Sequence, residues 1–233
     1  MDRALNRISV IIPVYNHAAY LPEALDSIIR QTCPASEIIV VDDGSEDGSA
    51  EAAERFSGVR VFRQPHSGIA VARNAGVRHT QGDLISFLDA DDRWTSYKLR
   101  AQIEAFDREP GLDMVFGLVR QFLSPDLSEV ERGRRKIEQE IMPGRIPGTL
   151  LIRRASLDRV GTFNEGLRSA EFLDWYGRAQ VLGLQEKMLE DVFCERRIHA
   201  ANHGVRARET RLDYFKALKA SVDRRKNMEG PES

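Results

Sequence analysis

Residues 84–92 read Leu84-Ile85-Ser86-Phe87-Leu88-Asp89-Ala90-Asp91-Asp92, a mostly apolar run that breaks into carboxylates. A run this short, with turn-forming residues at its end, predicts a buried strand rather than a helix. The carboxylates then stand where the strand leaves the sheet. Toward the N-terminus the same construction recurs. Ile8-Ser9-Val10-Ile11-Ile12 predicts a first strand ended by Pro13, and Glu37-Ile38-Ile39-Val40-Val41 a second running into Asp42-Asp43-Gly44-Ser45. Val59–Arg63 predicts a third. Between them Leu21, Leu25, Ile28 and Ile29 recur at helical spacing from Tyr20 to Gln31, a short helix is expected over about Asp47–Phe56, and Gly68 opens another through Arg78. Regular alternation of continuous apolar strands with helices predicts an α/β chain whose sheet is mainly parallel and covered on both faces.

Beyond residue 92 the pattern loosens. A helix is expected around Thr95–Phe106, strands over Asp113–Phe122 and Thr149–Arg153, a helix over Glu171–Leu182 and an extended segment over Val192–Ile198. Ser124–Gly148 is charged, contains Pro125, Pro143 and Pro147, and has no clear periodicity, so it reads as a functional or partly disordered loop. Arg208–Lys226 reads as an amphipathic helix with Leu212, Phe215, Leu218 and Val222 on one side. Core packing or a homodimer contact is expected of it ahead of membrane association.

The 233 residues include 34 Lys+Arg and 36 Asp+Glu, and the net charge of −2 argues against a general nucleic-acid binder. No apolar run approaches the roughly 20 residues of a transmembrane helix, and no secretory leader is read before Pro13. Cys33 and Cys194 are too few for a disulfide framework, so a cytoplasmic setting is expected.

In an open parallel sheet, ligands bind beyond the carboxyl ends of the strands. Here those ends carry Pro13-Val14-Tyr15-Asn16, Asp42-Asp43, and Asp89-Ala90-Asp91, with Gly68 and Arg73-Asn74 on the neighbouring helix. Two carboxylates leaving a buried strand need cations or solvent. Their hard oxygens suit Mg²⁺ or Mn²⁺ completed by phosphate and water, while Asp91 or Asp92 as an N-cap of the next helix is the competing explanation. Asp42-Asp43-Gly44-Ser45 is by itself equally a turn. His66 reads as a loop histidine without a role.

Taken together and in order, Pro13-Val14-Tyr15-Asn16, Gln31-Thr32, Val41-Asp42-Asp43-Gly44-Ser45, Ala72-Arg73-Asn74-Ala75-Gly76 and Phe87-Leu88-Asp89-Ala90-Asp91-Asp92 resemble glycosyltransferase family 2, inverting enzymes of GT-A fold. The resemblance is strongest over residues 8–105. It implies a Rossmann-like sheet with helices on both faces and a smaller C-terminal acceptor-side region. Residues 1–110 would be the nucleotide-sugar-binding half, 111–207 the acceptor and catalytic half, and 208–233 a terminal helix and tail. It further implies a UDP-sugar donor, with Pro13 and Tyr15 lining the base, Asp43 bonding the uracil imide and Arg73 contacting the nucleotide. Asp91 would ligate Mn²⁺ or Mg²⁺ with Asp89 beside it. Arg196-Arg197-Ile198-His199 resembles a loop that closes over the diphosphate, which makes Arg196 or Arg197 a phosphate contact and His199 a metal or phosphate ligand.

The sequence departs from the family at the general base. Counting back from Arg178, the base position falls on Phe172, which cannot take a proton. Glu171 and Asp174 flank it on one helix face, and Glu171 is the expected base. The alternatives are an acceptor that brings an easier nucleophile and a nucleotide-sugar-binding protein with impaired transfer. A sugar nucleotidyltransferase would need a Gly-rich basic phosphate loop after the first strand, which Pro13–His17 does not offer. Donor sugar and acceptor are not legible; a glycan, lipid-linked, peptide or small-molecule acceptor fits equally. Sugar and acceptor preference are expected to reside in Ser124–Gly148 and Asn164–Ala170.

Overall fold

The computed structural model describes residues 7–135, 137, 139–200, 213, 216, 217, 219 and 220. Four strands, β1 (Ile8–Val14), β2 (Glu37–Asp42), β3 (Val59–Arg63) and β4 (Leu84–Phe87), pair in parallel in the order β3-β2-β1-β4. Strand alternation sends neighbouring residues of β1 to opposite faces. Val10 and Ile12 face a core shared with Leu21, Leu25 and Ile28 of α1 (Leu21–Ile29). Ile11 faces a second core shared with Ala72 and Ala75 of α3 (Ile69–His79), which follows α2 (Ser49–Glu54). Both sides of the sheet are therefore covered, as the continuous apolar strands require.

Pro13 does not end the first strand, as expected from sequence; β1 runs on to Val14. The Ile11 carbonyl accepts the Leu88 amide at 3.0 Å, so alternate residue Pro13 also turns toward β4. Pairing on that side stops at Phe87, and the missing N–H costs no ladder bond there.

The second half extends the same sheet with mixed pairing. In chain order it comprises β5 (Arg93–Trp94), α4 (Lys98–Arg108), β6 (Met114–Leu123), α5 (Glu129–Arg134), β7 (Ile141–Gly144), a 3₁₀ turn at Pro147–Thr149, β8 (Leu151–Arg153), α6 (Arg154–Val160), α7 (Glu171–Val181) and β9 (Glu186–Ile198). The sheet continues from β4 as β8-β6-β9-β5, with β7 on the edge of β6. β8 is antiparallel to β4 and β6, while β9 lies parallel to β6. The 124–148 stretch is thus more ordered than its composition suggests. Ser128 and Glu131 form a reciprocal capping box that starts α5, and Pro143 lies in β7.

The predicted helix at 208–226 lies largely outside the described residues. Its described positions 213, 216, 217, 219 and 220 are helical. Asp213 accepts the Arg168 amide at 2.9 Å, and Ala217 packs with Leu167 and Ala170. Among the described residues no helix is long and apolar enough to cross a membrane.

Candidate active site

The carboxyl ends of β1, β2 and β4 form one edge of the sheet, and β9 brings its own C-terminal end to it. After β2 the two aspartates divide the work. Asp42 turns back to accept the Ser45 amide at 3.0 Å, which makes the turn. Asp43 points the other way and is buried. Its Oδ1 accepts Gln64 Nε2 at 2.6 Å and the Ser67 amide at 3.0 Å, and its Oδ2 accepts the Gly68 amide at 2.8 Å and lies 2.9 Å from His66 Nδ1. The His66 ring stacks on Tyr15 with centroids 3.9 Å apart. Tyr15, His66 and Asp43 are therefore linked in one contiguous group, and Pro13 is buried in β1. His66 is a loop residue, as read, and it contacts both Asp43 and Tyr15; stacking across two loops leaves no trace in a local sequence pattern.

Arg73 projects from α3 and is buried. Its Nη2 donates to Asp89 Oδ1 at 2.7 Å and its Nη1 to Glu171 at the first turn of α7. Burial works against its charge, but Asp89 and Glu171 more than offset it and raise its pKa. The next residue, Asn74, clamps the loop before α7, bonding both the amide and the carbonyl of Phe163 at 2.9 Å. Ala170, at the N-cap of α7, holds φ at 62°, an uncommon conformation outside glycine that delivers Glu171 to Arg73.

A third group gathers around Asp91. Its Oδ2 lies 3.0 Å from His199 Nε2, just past β9. One ligand atom each of His17, Asp91 and His199 lies within 4.8 Å of the other two. Burial would raise the Asp91 carboxyl, but the His199 hydrogen bond and the charges of His17 and His199 hold it below its usual value. Asp92 behaves oppositely: burial, with Asp91 and Asp89 nearby, pushes its carboxyl well up. Its Oδ1 accepts the Arg197 amide at 2.9 Å and ties β9 to the end of β4.

Several expectations change on this geometry. Asp89 is not beside Asp91 at the imidazole cluster; it faces Arg73. The Asp92 amide bonds the Asp89 carbonyl at 3.1 Å, and this turn rotates the two carboxylates apart. Neither Asp91 nor Asp92 caps a helix, because β5 intervenes and α4 starts at Lys98 after Tyr97. The Arg197 guanidinium donates to the Asp91 carbonyl at 3.0 Å, to Ser124 Oγ and to Glu23, so it braces the Asp91 loop from behind instead of standing open to a phosphate. Asp174 lies 3.2 Å from Arg178 of its own helix and is buried. Phe172 stacks on Trp175 and Tyr176 within the core and offers no proton acceptor. His17 was not singled out in the sequence, since a histidine in a loop carries no periodic signal.

The donor set Asp91, His199 and His17 fits a divalent ion: carboxylate and imidazole groups from three strand ends converge on one point. An α/β sheet with polar groups gathered at its carboxyl edge places a ligand site there. S. aureus TarS solved with UDP-GlcNAc superimposes with a TM-score of 0.73 at 21% identity, over 94% of this chain and 66% of the other. The Pyrobaculum calidifontis mannosyltransferase PcManGT, in complex with GDP-Man and Mn²⁺, gives 0.65 at 21%, over 93% and 64%. These likenesses show the GT-A fold.

The glycosyl transferase family 2 model matches residues 9–161, and the chain belongs to that family. Among curated proteins, an uncharacterized glycosyltransferase of Rickettsia typhi is 30% identical over 210 residues, covering 83% of this chain and 64% of its own length. Glycosyltransferase GlyA of Streptococcus pneumoniae is 43% identical over 91 residues, covering 37% and 13%. The chain spans less than two thirds of the length of each of these relatives.

Proposed function

We propose that the chain is a divalent-metal-dependent, inverting glycosyltransferase that moves a sugar from a UDP-sugar to an acceptor hydroxyl. The observation that carries this reading is the arrival of Asp43, Arg73, Asp91, His199 and Glu171 at one edge of the sheet from five separate segments. In this reading Tyr15 presents a stacking face to the base. Asp43 accepts the imide N–H, and His66 is the neighbour that gives way, since the backbone donors on Asp43 are fixed.

Asp91 and His199 would hold the ion, which when bound supplies neutralisation of the charge that grows on the departing diphosphate. Arg73 orients Asp89 and Glu171 toward the space in front of β4. Glu171 accepts the proton of the acceptor hydroxyl as the oxocarbenium-like transition state forms, a contribution of typically about 10²–10⁴-fold. Arg197 takes the place of a positioning residue, holding the Asp91 loop. The irregular segment 124–148 and the loop 164–170 frame the acceptor side.

The test is Mn²⁺-dependent turnover of UDP-sugars, beginning with a thermal-shift screen of donors with and without Mn²⁺. Asp91→Ala is expected to abolish turnover while the unfolding midpoint stays near that of the parent. Unchanged turnover would remove the metal from the reading. One observation favours a second reading, a donor-binding protein with impaired transfer: Phe172, buried in an aromatic stack, occupies the expected base position. Glu171→Gln separates the two. Retained UDP binding with a loss of about 10²-fold or more in transfer supports Glu171 as base, whereas binding without transfer in the parent protein supports the second.

A further inference from the structure

We propose that His17, in the loop between β1 and α1, is a third protein ligand beside Asp91 and His199, and that the ion held there is a transition metal bound before any nucleotide arrives. The inference rests on the active site proposed above but adds a separate claim about ligand number, metal choice and order of loading.

Three strand ends deliver the three groups: His17 after β1, Asp91 after β4 and His199 after β9, with their ligand atoms mutually within 4.8 Å. The two imidazoles meet edge to face with centroids 5.7 Å apart, and the Tyr20 ring lies 4.7 Å from His199, closing one side of the group. Tyr20 is itself anchored by its hydroxyl, which donates to Asp126 at 2.5 Å.

The position of His17 is built rather than incidental. Asn16 holds φ at 55°, and with Ala170 it is one of two non-glycine residues at positive φ among those described. The amides of Asn16, His17 and Ala18 donate in succession to Ser45 Oγ, Ser49 Oγ and Asp47 Oδ2 at 2.9, 3.0 and 2.9 Å. The loop is thus held against the turn after β2, and the imidazole is carried to the cluster by a backbone with little freedom.

The donor chemistry decides the ion. Mg²⁺ seeks oxygen ligands and usually relies on substrate phosphates to complete its shell. Two imidazole nitrogens and one carboxylate oxygen suit Mn²⁺, Co²⁺ or Zn²⁺ instead, in rising affinity from Mn²⁺ to Co²⁺. Three fixed protein donors also hold an ion without a phosphate, leaving its remaining positions for the diphosphate.

The experiment uses the whole chain without nucleotide and Mn²⁺ as the probe, with free ion followed by its EPR signal. One equivalent is expected to bind, to be displaced by Co²⁺ and to resist about a hundredfold excess of Mg²⁺. His17→Ala should weaken binding at least about tenfold, the scale on which even an outer-shell partner matters at metal sites. It should also change the visible spectrum of bound Co²⁺, while the metal-free variant unfolds at the parent's midpoint. His79→Ala, whose ring stacks on Phe62 away from the cluster, should bind Mn²⁺ as the parent does. Equal Mn²⁺ affinity in His17→Ala, displacement by equimolar Mg²⁺, or Mn²⁺ binding only in the presence of UDP each overturns the inference and leaves the proposed function standing. Failure to bind either metal or UDP overturns both.

Discussion

Arg73 sits at 2% exposure with two carboxylates and no other charge among its hydrogen-bond partners. Such a residue contributes less to net stability than to the positions of its partners, because desolvation consumes most of the Coulombic gain. Removing it leaves Glu171 buried and uncompensated. Arg73→Met is therefore expected to lower the unfolding free energy in urea by about 3–5 kcal/mol. A loss below about 1 kcal/mol would show that the carboxylates find other partners. Arg73→Lys keeps the charge but not the fork that reaches both carboxylates. At this scale Asp43, Arg73, Asp91 and His199 were legible as candidates because they stand in motifs at strand ends or on the adjoining helix, and Glu171 because it flanks the position counted back from Arg178. His17, His66 and the bracing role of Arg197 were not, since each depends on a partner brought from another segment.

Arg73 reaches its partners only because α3 lies close to β1. Gly76, one turn further along the same face, permits this: a Cβ built there would run into the Cγ2 methyl of Ile11. Ile11 is fully buried in the middle of a central strand and cannot turn aside. Gly76→Val is expected to destabilise by about 1–3 kcal/mol through overpacking. In a double-mutant cycle, adding Ile11→Ala should recover part of that cost; strict additivity would mean that helix and strand do not meet there. The elements themselves were mostly legible from apolar periodicity. Their edges were not: β1 passes through Pro13, β9 starts well before Val192, and α5 and β7 emerge from a stretch without periodicity. Capping and edge pairing fix such boundaries, and both depend on neighbours remote in sequence.

For the molecule as a whole, the two halves of the sheet meet over Lys98. Its ammonium donates to Ser86 of β4 at 2.9 Å and to Gln102 at 2.8 Å, and lies 3.9 Å from the centroid of the Trp94 ring. The carbonyl of Leu150, just before β8, lies 3.4 Å away. Burial pushes its pKa well below 10.5. Between that lowered value and 10.5 the unfolded chain holds a proton at this position that the folded chain lacks, so stability gains with rising pH. The stability of the parent relative to Lys98→Met should accordingly climb with rising pH below 10.5 and level off above it, measured by denaturant unfolding at each pH. A constant difference would mean that Lys98 stays charged in the fold.

What the amino-acid order determined alone is the alternation of buried strands and helices, hence a mainly parallel sheet covered on both faces, and the crowding of acidic and basic groups at the strand ends. That information is local, since period and turn chemistry are written within a few residues. Which of those groups meet was settled only by tertiary structure. The turn at Asp89–Asp92 sends one carboxylate to Arg73 and the other to His199, and β9 returns from about a hundred residues away to complete the cluster. Contacts of that kind depend on how the chain closes on itself in space, and no spacing along it encodes them.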